Sequence, residues 1–495
     1  MHKVSTDNWQ RGAIWVLCAL LAIRLLLIYY LPLTDTTEAR YAEIARKMLE
    51  TGNWVTLWHD YGVPFWAKPP LAFWLSAASM GVFGVNEWAA RLPALLLSLG
   101  TLGLLVALGW RHSGRPMALA GALVLAGSLL FFAVAGTVMT DPALLFCLTL
   151  SQVALWRALV WRSRGWGYGF FLGLGFGLLA KGPLVLVLCG LPVFFWVLLR
   201  QQWRNLWFRL PWISGTLLML AIALPWYLLA EQRTPGFLNY FMVGEHLSRF
   251  LDPGWAGDKY GFAHNTAYGM IWLFAWLGLL PWSLLAPGWL WRKRAQLPAL
   301  LHDTDGWLLY LLLWSLMTLV FFTCSGNIIF PYPLPMLPGF ALLFAELWQR
   351  ARQPGERTYL PRWALLIGAL CAVFLLANAV HPERYLRTQK AAITAWLAEQ
   401  PAADSALLYW RSRREFSAEF YSAGRARTTS MASQLQAWSA GPSQDYLLVS
   451  EKDQAQIPAE LLRRFQPITT VPMPKGRMIL WRERADAPPL LMEQP

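Results

Sequence analysis

The chain has 495 residues, a formal net charge of +14, 56% hydrophobic residues and only 14% charged ones, and its mean hydropathy is +0.38. A soluble chain of this length has no need of that balance, so composition points to a membrane protein. The positive charge does not indicate nucleic acid. Its residues fall in short gaps between apolar runs, at Arg111 and Arg115, Arg157 to Arg164, Arg200 to Arg209, Arg292 to Arg294 and Arg350 to Arg362, as cytoplasmic loops do.

Apolar stretches of about 20 residues, enough for a helix to cross roughly 30 Å of hydrocarbon, recur from Trp15 to Val380. They are continuous and do not alternate, which excludes a membrane β-barrel. The first, from about 13 to 33, follows a basic start with Lys3 and Arg11. It is too long for a signal peptide and no small-residue cleavage site follows, so an uncleaved anchor is expected. Further spans are expected near 89–110, 117–137, 142–160, 167–180, 183–199, 211–230, 267–291, 306–324, 329–348 and 363–380, about eleven transmembrane helices in all. With a cytoplasmic amino terminus, every Arg-rich gap lies inside, and loops 34–88 and 231–266 lie outside together with 381–495. The thirty Trp suit the two membrane interfaces. The five cysteines stand singly in apolar segments, with neither metal spacing nor obvious pairing.

Residues 37–50 put Tyr41, Ile44, Ala45, Met48 and Leu49 on one helical face, with Glu38, Glu43, Arg46 and Lys47 elsewhere, which predicts a helix lying on the membrane surface. Asp35 and Glu38, three residues apart, fit a capping box at its start. A carboxylate at a cavity mouth can also orient or deprotonate an acceptor. Lys68-Pro69-Pro70 reads as a turn with a snorkelling lysine. Thr140-Asp141-Pro142 reads as an N-cap followed by Pro, and Lys181-Gly182-Pro183 as a helix stop. Beyond Val380 the chain turns polar. Short β-like runs at ALLYW from 406, DYLLVS from 445 and RMILW from 477, with a helical stretch at 412–423, predict a small α/β domain over 381–495, outside the membrane.

On this topology Asp35, Glu38, Asp141 and His246 share one side of the membrane with Lys68, Lys181 and Arg249. An arriving anion would meet cations there, with carboxylates available for base or metal work. The mix suits transfer from a phosphate-linked donor, whose leaving group gains charge that cations stabilise. No Walker loop or dinucleotide fingerprint is present, which argues against a soluble nucleotide donor.

Several ordered stretches carry a family likeness: DTTEARYAEIARKML at 35–49, KPPL at 68–71, NEWAARLP at 86–93, TDP at 140–142, KGP at 181–183, EHLSRF at 245–250 and PYPLPMLP at 331–338. With these the sequence resembles the bacterial GT-C membrane glycosyltransferases of the aminoarabinose transferase and protein O-mannosyltransferase superfamily, over roughly residues 10–380. The resemblance implies an all-α polytopic domain over 1–380 and transfer of a sugar from a polyprenyl-phosphate donor. The acceptor would be a lipid (lipid A-like), glycan or protein on the periplasmic side of the cell inner membrane. It implies Asp35, Glu38 and Asp141 as catalytic residues, and Lys68, Lys181, Arg249, His246 and Tyr332 as donor-phosphate or substrate residues. Asp141 and His246 match positions that some relatives use for a metal, so a divalent metal is the one cofactor candidate. The family's aminoarabinose transferases carry an acid immediately before KPP, and Ala67 stands there instead. The rival reading is a transporter or flippase of a lipid-linked sugar. Such proteins place ionisable groups near the bilayer midplane and repeat their halves, whereas here the charges gather at span ends, Arg24 excepted, and no repeat is present.

Overall fold

The computed structural model describes residues 3–252, 254–261, 264–353, 356, 358–381, 385–412, 415–431, 433–434, 443–457, 459–474 and 476–485. The chain forms two compact units, Met1–Tyr29 with Met48–Ala372, and Tyr30–Lys47 with Val373–Pro495.

The first unit is helical, and each apolar segment expected from the sequence lies in one or two helices. Five helices among the described residues are by themselves long and apolar enough to cross a membrane: Asn8–Tyr30, Glu87–Ser113, Asp141–Leu159, Trp212–Arg233 and Leu360–Val380. A sixth is reached if Met270–Gly278 and Trp282–Arg292, bent by 90° at their junction, count as one span. Others, such as Leu184–Arg200 and Trp307–Thr323, are apolar but shorter. The expected span at 117–137 is broken into Arg115–Ala126 and Leu129–Val134. Gly127 sits at the break, where a Cβ would lie only 2.7 Å from Cα of Ala364. The carbonyls freed beyond it are taken up by Arg24, a cation that the sequence places in the middle of the first span. Its guanidinium donates to the carbonyls of Ala133 and Ala135 and to Oγ1 of Thr137. An intramembrane arginine is thereby consumed in satisfying backbone, as low-dielectric surroundings demand.

A short hairpin of β1 (Trp58–Asp60) and β2 (Val63–Pro64) leads into the KPP turn and the helix Leu71–Phe83. The turn's entry is fixed by Tyr260, whose hydroxyl donates to the carbonyl of Pro64 at 2.7 Å and accepts from the Trp66 amide at 3.0 Å.

The second unit carries a five-stranded mixed sheet of β3 (Leu407–Trp410), β4 (Ala426–Thr429), β5 (Tyr446–Ser450), β6 (Phe465–Met473) and β7 (Gly476–Glu483), in the order β4-β3-β5-β7-β6. β3 pairs in parallel with both β4 and β5, and β7 antiparallel with β5 and β6. Both faces of β3 are covered. Leu407 and Tyr409 pack with Ile393 and Trp396, while Leu408 and Trp410 pack with Val449 and Trp481. That is why ALLYW is a continuous apolar run with no alternation. The runs at 406, 445 and 477 are strands as expected, and the stretch at 412–423 contributes the helix Phe416–Tyr421, with residues 413–414 outside the described set. β4 and β6 escaped sequence reading because both are edge strands. β6 carries Pro467 at a register shift and Pro472 besides, which an edge tolerates because the ladder needs no amide there.

The helix expected at 37–50 is present as Thr37–Thr51, but its polar face is not free. Glu43, Arg46 and Lys47 are buried, Lys47 to 1% exposure. Arg46 donates two hydrogen bonds to Glu43, at 2.7 and 2.9 Å, and the Lys47 ammonium donates to Glu419 at 3.0 Å. The expectation of a helix lying on a membrane surface with its charges in water is corrected: the charges are paired inside protein.

Candidate functional site

In the first unit an open cavity of about 170 Å³ gathers Lys68, Lys181, His246, Arg249 and Tyr332, five of the residues singled out from sequence. Glu245, His246 and Arg249 come from a wide π-type helix, Asn239–Ser248, and the turn that continues it. Such turns recur at functional sites because the extra residue per turn displaces side chains from the usual register.

Glu245 is the centre of the arrangement. Its Oε2 accepts from Nζ of Lys68 at 3.2 Å and from Nη1 of Arg249 at 3.1 Å, while Tyr240 donates its hydroxyl to Oε1 at 3.2 Å. Burial pushes the Glu245 carboxyl up, but the charges and hydrogen bonds of Lys68 and Arg249 outweigh it and hold the group below the usual carboxylate range. Arg249 also faces Asp258 at 3.4 Å. Its Nε is buried with no hydrogen-bond partner among the described residues, so a donor remains to be filled. Lys68 is thus not the snorkelling residue that KPP suggests alone.

Asp141 starts the helix Asp141–Leu159, as TDP predicts, although the Thr140 side chain makes no capping bond. Its carboxylate accepts from Nζ of Lys181 at 2.7 Å, and that ammonium lies 4.8 Å from the centre of the Tyr332 ring. The helix Arg164–Lys181 stops where KGP predicts. Gly182 there has φ +75°, and a Cβ would meet Phe241 Cζ at 2.6 Å and His246 Cε1 at 3.1 Å. Only glycine lets His246 approach so closely. The His246 ring nitrogens face two carbonyl oxygens, Nδ1 that of Phe241 at 2.7 Å and Nε2 that of Lys181 at 3.2 Å. Burial lowers its pKa despite the opposing pull of those carbonyls.

The metal candidates do not fit together as ligands. Each His246 ring nitrogen faces a carbonyl oxygen, of which a neutral ring can donate to one, and Asp141 is engaged by Lys181. Among the described residues no group of three His, Cys, Asp or Glu is placed to hold a metal ion.

Asp35 and Glu38 belong to the second unit. The Asp35 carboxylate accepts from the amide of Ser417 at 3.1 Å and from its hydroxyl, and its own amide donates to the carbonyl of Arg387 at 2.8 Å. Burial is the main cause that raises its pKa to about 7, helped by nearby Glu415 and opposed by the Ser417 bonds and the Arg387 charge. The capping reading of Asp35 is therefore replaced. The bond back from the first turn is made one residue earlier, where Glu38 Oε2 accepts from both the amide and the hydroxyl of Thr34, each at 3.1 Å.

Sequence reasoning named the cations and passed over what holds them. Glu245 was in view within EHLSRF, and its i,i+4 spacing from Arg249 was the available signal. Tyr240, Asp258 and Tyr260 carry no local signal, since their roles depend on partners far along the chain.

Comparison with known proteins agrees with this architecture. The family model for dolichyl-phosphate-mannose-protein mannosyltransferase matches residues 14–241. The undecaprenyl phosphate-alpha-4-amino-4-deoxy-L-arabinose arabinosyl transferase of Edwardsiella ictaluri is 31% identical over 341 residues, 67% of this chain and 59% of that protein. Its namesake in Pseudomonas aeruginosa is 34% identical over 360 residues, 68% of this chain and 60% of that protein. The matches thus span about three-fifths of those curated relatives' length. The crystal structure of ArnT from Cupriavidus metallidurans in the apo state superimposes with a TM-score of 0.75 at 19% identity, covering 98% of this chain and 100% of that one. The same protein bound to undecaprenyl phosphate gives 0.72 at 20% identity, covering 96% and 99%. The ordered motifs, these relatives and the shared fold together place the chain in the GT-C membrane glycosyltransferase superfamily of the aminoarabinose transferases and protein O-mannosyltransferases.

Proposed function

We propose that the chain is an inner-membrane enzyme that transfers a sugar from a polyprenyl-phosphate donor to a lipid (lipid A-like), glycan or protein acceptor on the periplasmic side. The observation that carries this reading is the sharing of Glu245 by Lys68 and Arg249 at the cavity, with the Arg249 Nε left unpartnered. One carboxylate divided between two cations leaves donor capacity for an incoming phosphate, and charge-assisted bonds of that kind are roughly twice as strong as neutral ones. In the reaction the bond from the anomeric carbon to the phosphate oxygen breaks and its electron pair leaves with polyprenyl phosphate. The acceptor oxygen bonds the anomeric carbon in its place. Lys68 and Arg249 stabilise the charge gained by the leaving phosphate. Asp35 receives the acceptor's proton where the acceptor is a hydroxyl, and orients the acceptor where it is an already ionised phosphate. Lys181, held between Asp141 and Tyr332, adds a further positive charge to the cavity wall.

Undecaprenyl phosphate is the first lipid to test, since it appears in the relatives' name. Lys68→Ala should lower transfer by about 10²- to 10³-fold, the range seen when one donor to a developing anion is removed, while the purified protein stays folded. Undiminished donor binding and turnover in both Lys68→Ala and Arg249→Ala would remove the phosphate site. The sidedness is checked by cysteine labelling: an impermeant reagent should reach a cysteine at Ala402 from outside, and one at Arg294 only after the membrane is opened.

A further inference from the structure

Among the polar side chains on the cavity wall that the mechanism does not use is Asn327. Asn327 is 4% exposed, lines the cavity, and both its Nδ2 and its Oδ1 are buried without a hydrogen-bond partner among the described residues. It follows the helix Trp307–Thr323, in a turn that is firmly held. The carbonyl of Gly326 accepts from both the amide and the hydroxyl of Thr266, at 2.8 and 2.7 Å. The backbone here is anchored and the side chain is not, so the carboxamide contributes nothing to the turn it sits in. Buried polar atoms in native proteins are nearly always paired, so an exception on a cavity wall marks a group that water or a ligand entering the cavity must satisfy.

The chemistry of the amide narrows the ligand. Lys68 and Arg249 can only donate hydrogen bonds, which matches a phosphate, a group that only accepts. A carboxamide offers an acceptor and two donors side by side, and a phosphate would leave the Asn327 oxygen unsatisfied and facing negative charge. A sugar hydroxyl both donates and accepts, so it can complete both ends of the amide. We infer that Asn327 is the residue of this cavity that recognises the sugar of the donor, hydrogen-bonding a hydroxyl of the glycosyl unit while Lys68 and Arg249 hold the phosphate. The inference rests on the polyprenyl-phosphate reading above and makes Asn327 a specificity-determining residue. A site built to hydrogen-bond a substrate group discriminates strongly, because the wrong ligand leaves its buried polar atoms unpaired.

The test compares affinities of the full detergent-purified chain for bare undecaprenyl phosphate and for undecaprenyl phosphate carrying 4-amino-4-deoxy-L-arabinose, mannose or glucose. In the wild type at least one glycosylated lipid should bind more tightly than the bare one. Asn327→Leu should erase about tenfold or more of that preference and leave bare-lipid affinity within about twofold. Asn327→Ala, smaller and easier to accommodate, should do the same if the leucine variant does not fold. An unchanged preference overturns the inference, as does an equal loss for bare and glycosylated lipid, or a wild type that favours no glycosylated lipid. The underlying reading fails separately: Lys68→Ala that binds bare undecaprenyl phosphate as well as wild type would remove the phosphate site, whereas Asn327 is judged on the preference alone.

Discussion

Two clusters of mixed charge, one in each unit, are built from the same residue types and behave in opposite ways. In the second unit Glu43, Arg46, Lys47 and Glu419 are closed in: Arg46 grips Glu43 with two bonds of 2.7 and 2.9 Å, and Lys47 sits at 3.0 Å from Glu419. In the first, Lys68 and Arg249 share Glu245 at 3.2 and 3.1 Å, Asp258 stands off at 3.4 Å, and an Arg249 donor is unfilled beside a cavity. Closed geometry with short bonds holds structure together. Longer, shared bonds at a cavity leave charge available to a ligand. Counting charged residues does not tell the two apart.

The largest expected effect concerns Asp35, which belongs to neither pattern. It is a half-buried carboxylate whose side-chain hydrogen bonds come from the neutral Ser417. Asp35→Asn keeps an acceptor for the Ser417 amide and should purify as a folded protein, yet lose about 10²- to 10⁴-fold in transfer, the usual worth of a positioned base. Full activity would reduce Asp35 to a structural residue. Its pH behaviour follows from a pKa raised from 3.8 to about 7. Below the lower value the residue is protonated whether the chain is folded or not. Between the two values the folded chain keeps a proton that the unfolded chain has lost, so Asp35's contribution to stability declines as pH rises and is gone above about 7. Thermal unfolding from pH 4 to 8 should therefore show a shallower fall in Asp35→Asn than in wild type. Wild-type transfer to a hydroxyl acceptor should rise with pH through about 7 as the base ionises.

Next in size is the closed cluster. Lys47→Met leaves Glu419 buried without its cation and should cost about 3–5 kcal/mol of stability, read as a lowered unfolding midpoint. Lys68→Met at the cavity should lower that midpoint less, because Glu245 keeps Arg249 as a counter-charge, while transfer collapses. Equal destabilisation by both would erase the distinction between the clusters. The smallest effect separates the two roles of Glu38. Its bonds to Thr34 are ones a glutamine can also make, so Glu38→Gln should stay within about 0.5 kcal/mol of wild type, and Glu38→Ala should lose about 1 kcal/mol. Loss of transfer in a stable Glu38→Gln protein would mark its charge as part of the chemistry.

The helical, membrane-spanning character of the first unit was legible because an apolar run of sufficient length has one stable form in hydrocarbon, whatever its neighbours. Helix starts and stops at TDP and KGP were equally local, fixed by Pro and Gly backbone restrictions at Asp141-Pro142 and Gly182. The inward-facing strands β3, β5 and β7 declared themselves through buried apolar runs, while β4 and β6 did not, since an edge strand is defined by the partner it lacks. What the tertiary structure alone decided is how each charge is used. Lys47 sits among charged helix residues and Lys68 between apolar ones, and neither setting names its partner. One is sealed against Glu419, 372 residues away along the chain, and the other shares Glu245, 177 residues away, at a cavity. Asn327 offers no sequence signal at all, because an asparagine after a helix is an ordinary turn residue until both ends of its amide are found buried and unpaired. Backbone form follows from local chain chemistry, but the electrostatic role of a side chain depends on burial and on partners that only folding brings within hydrogen-bond distance.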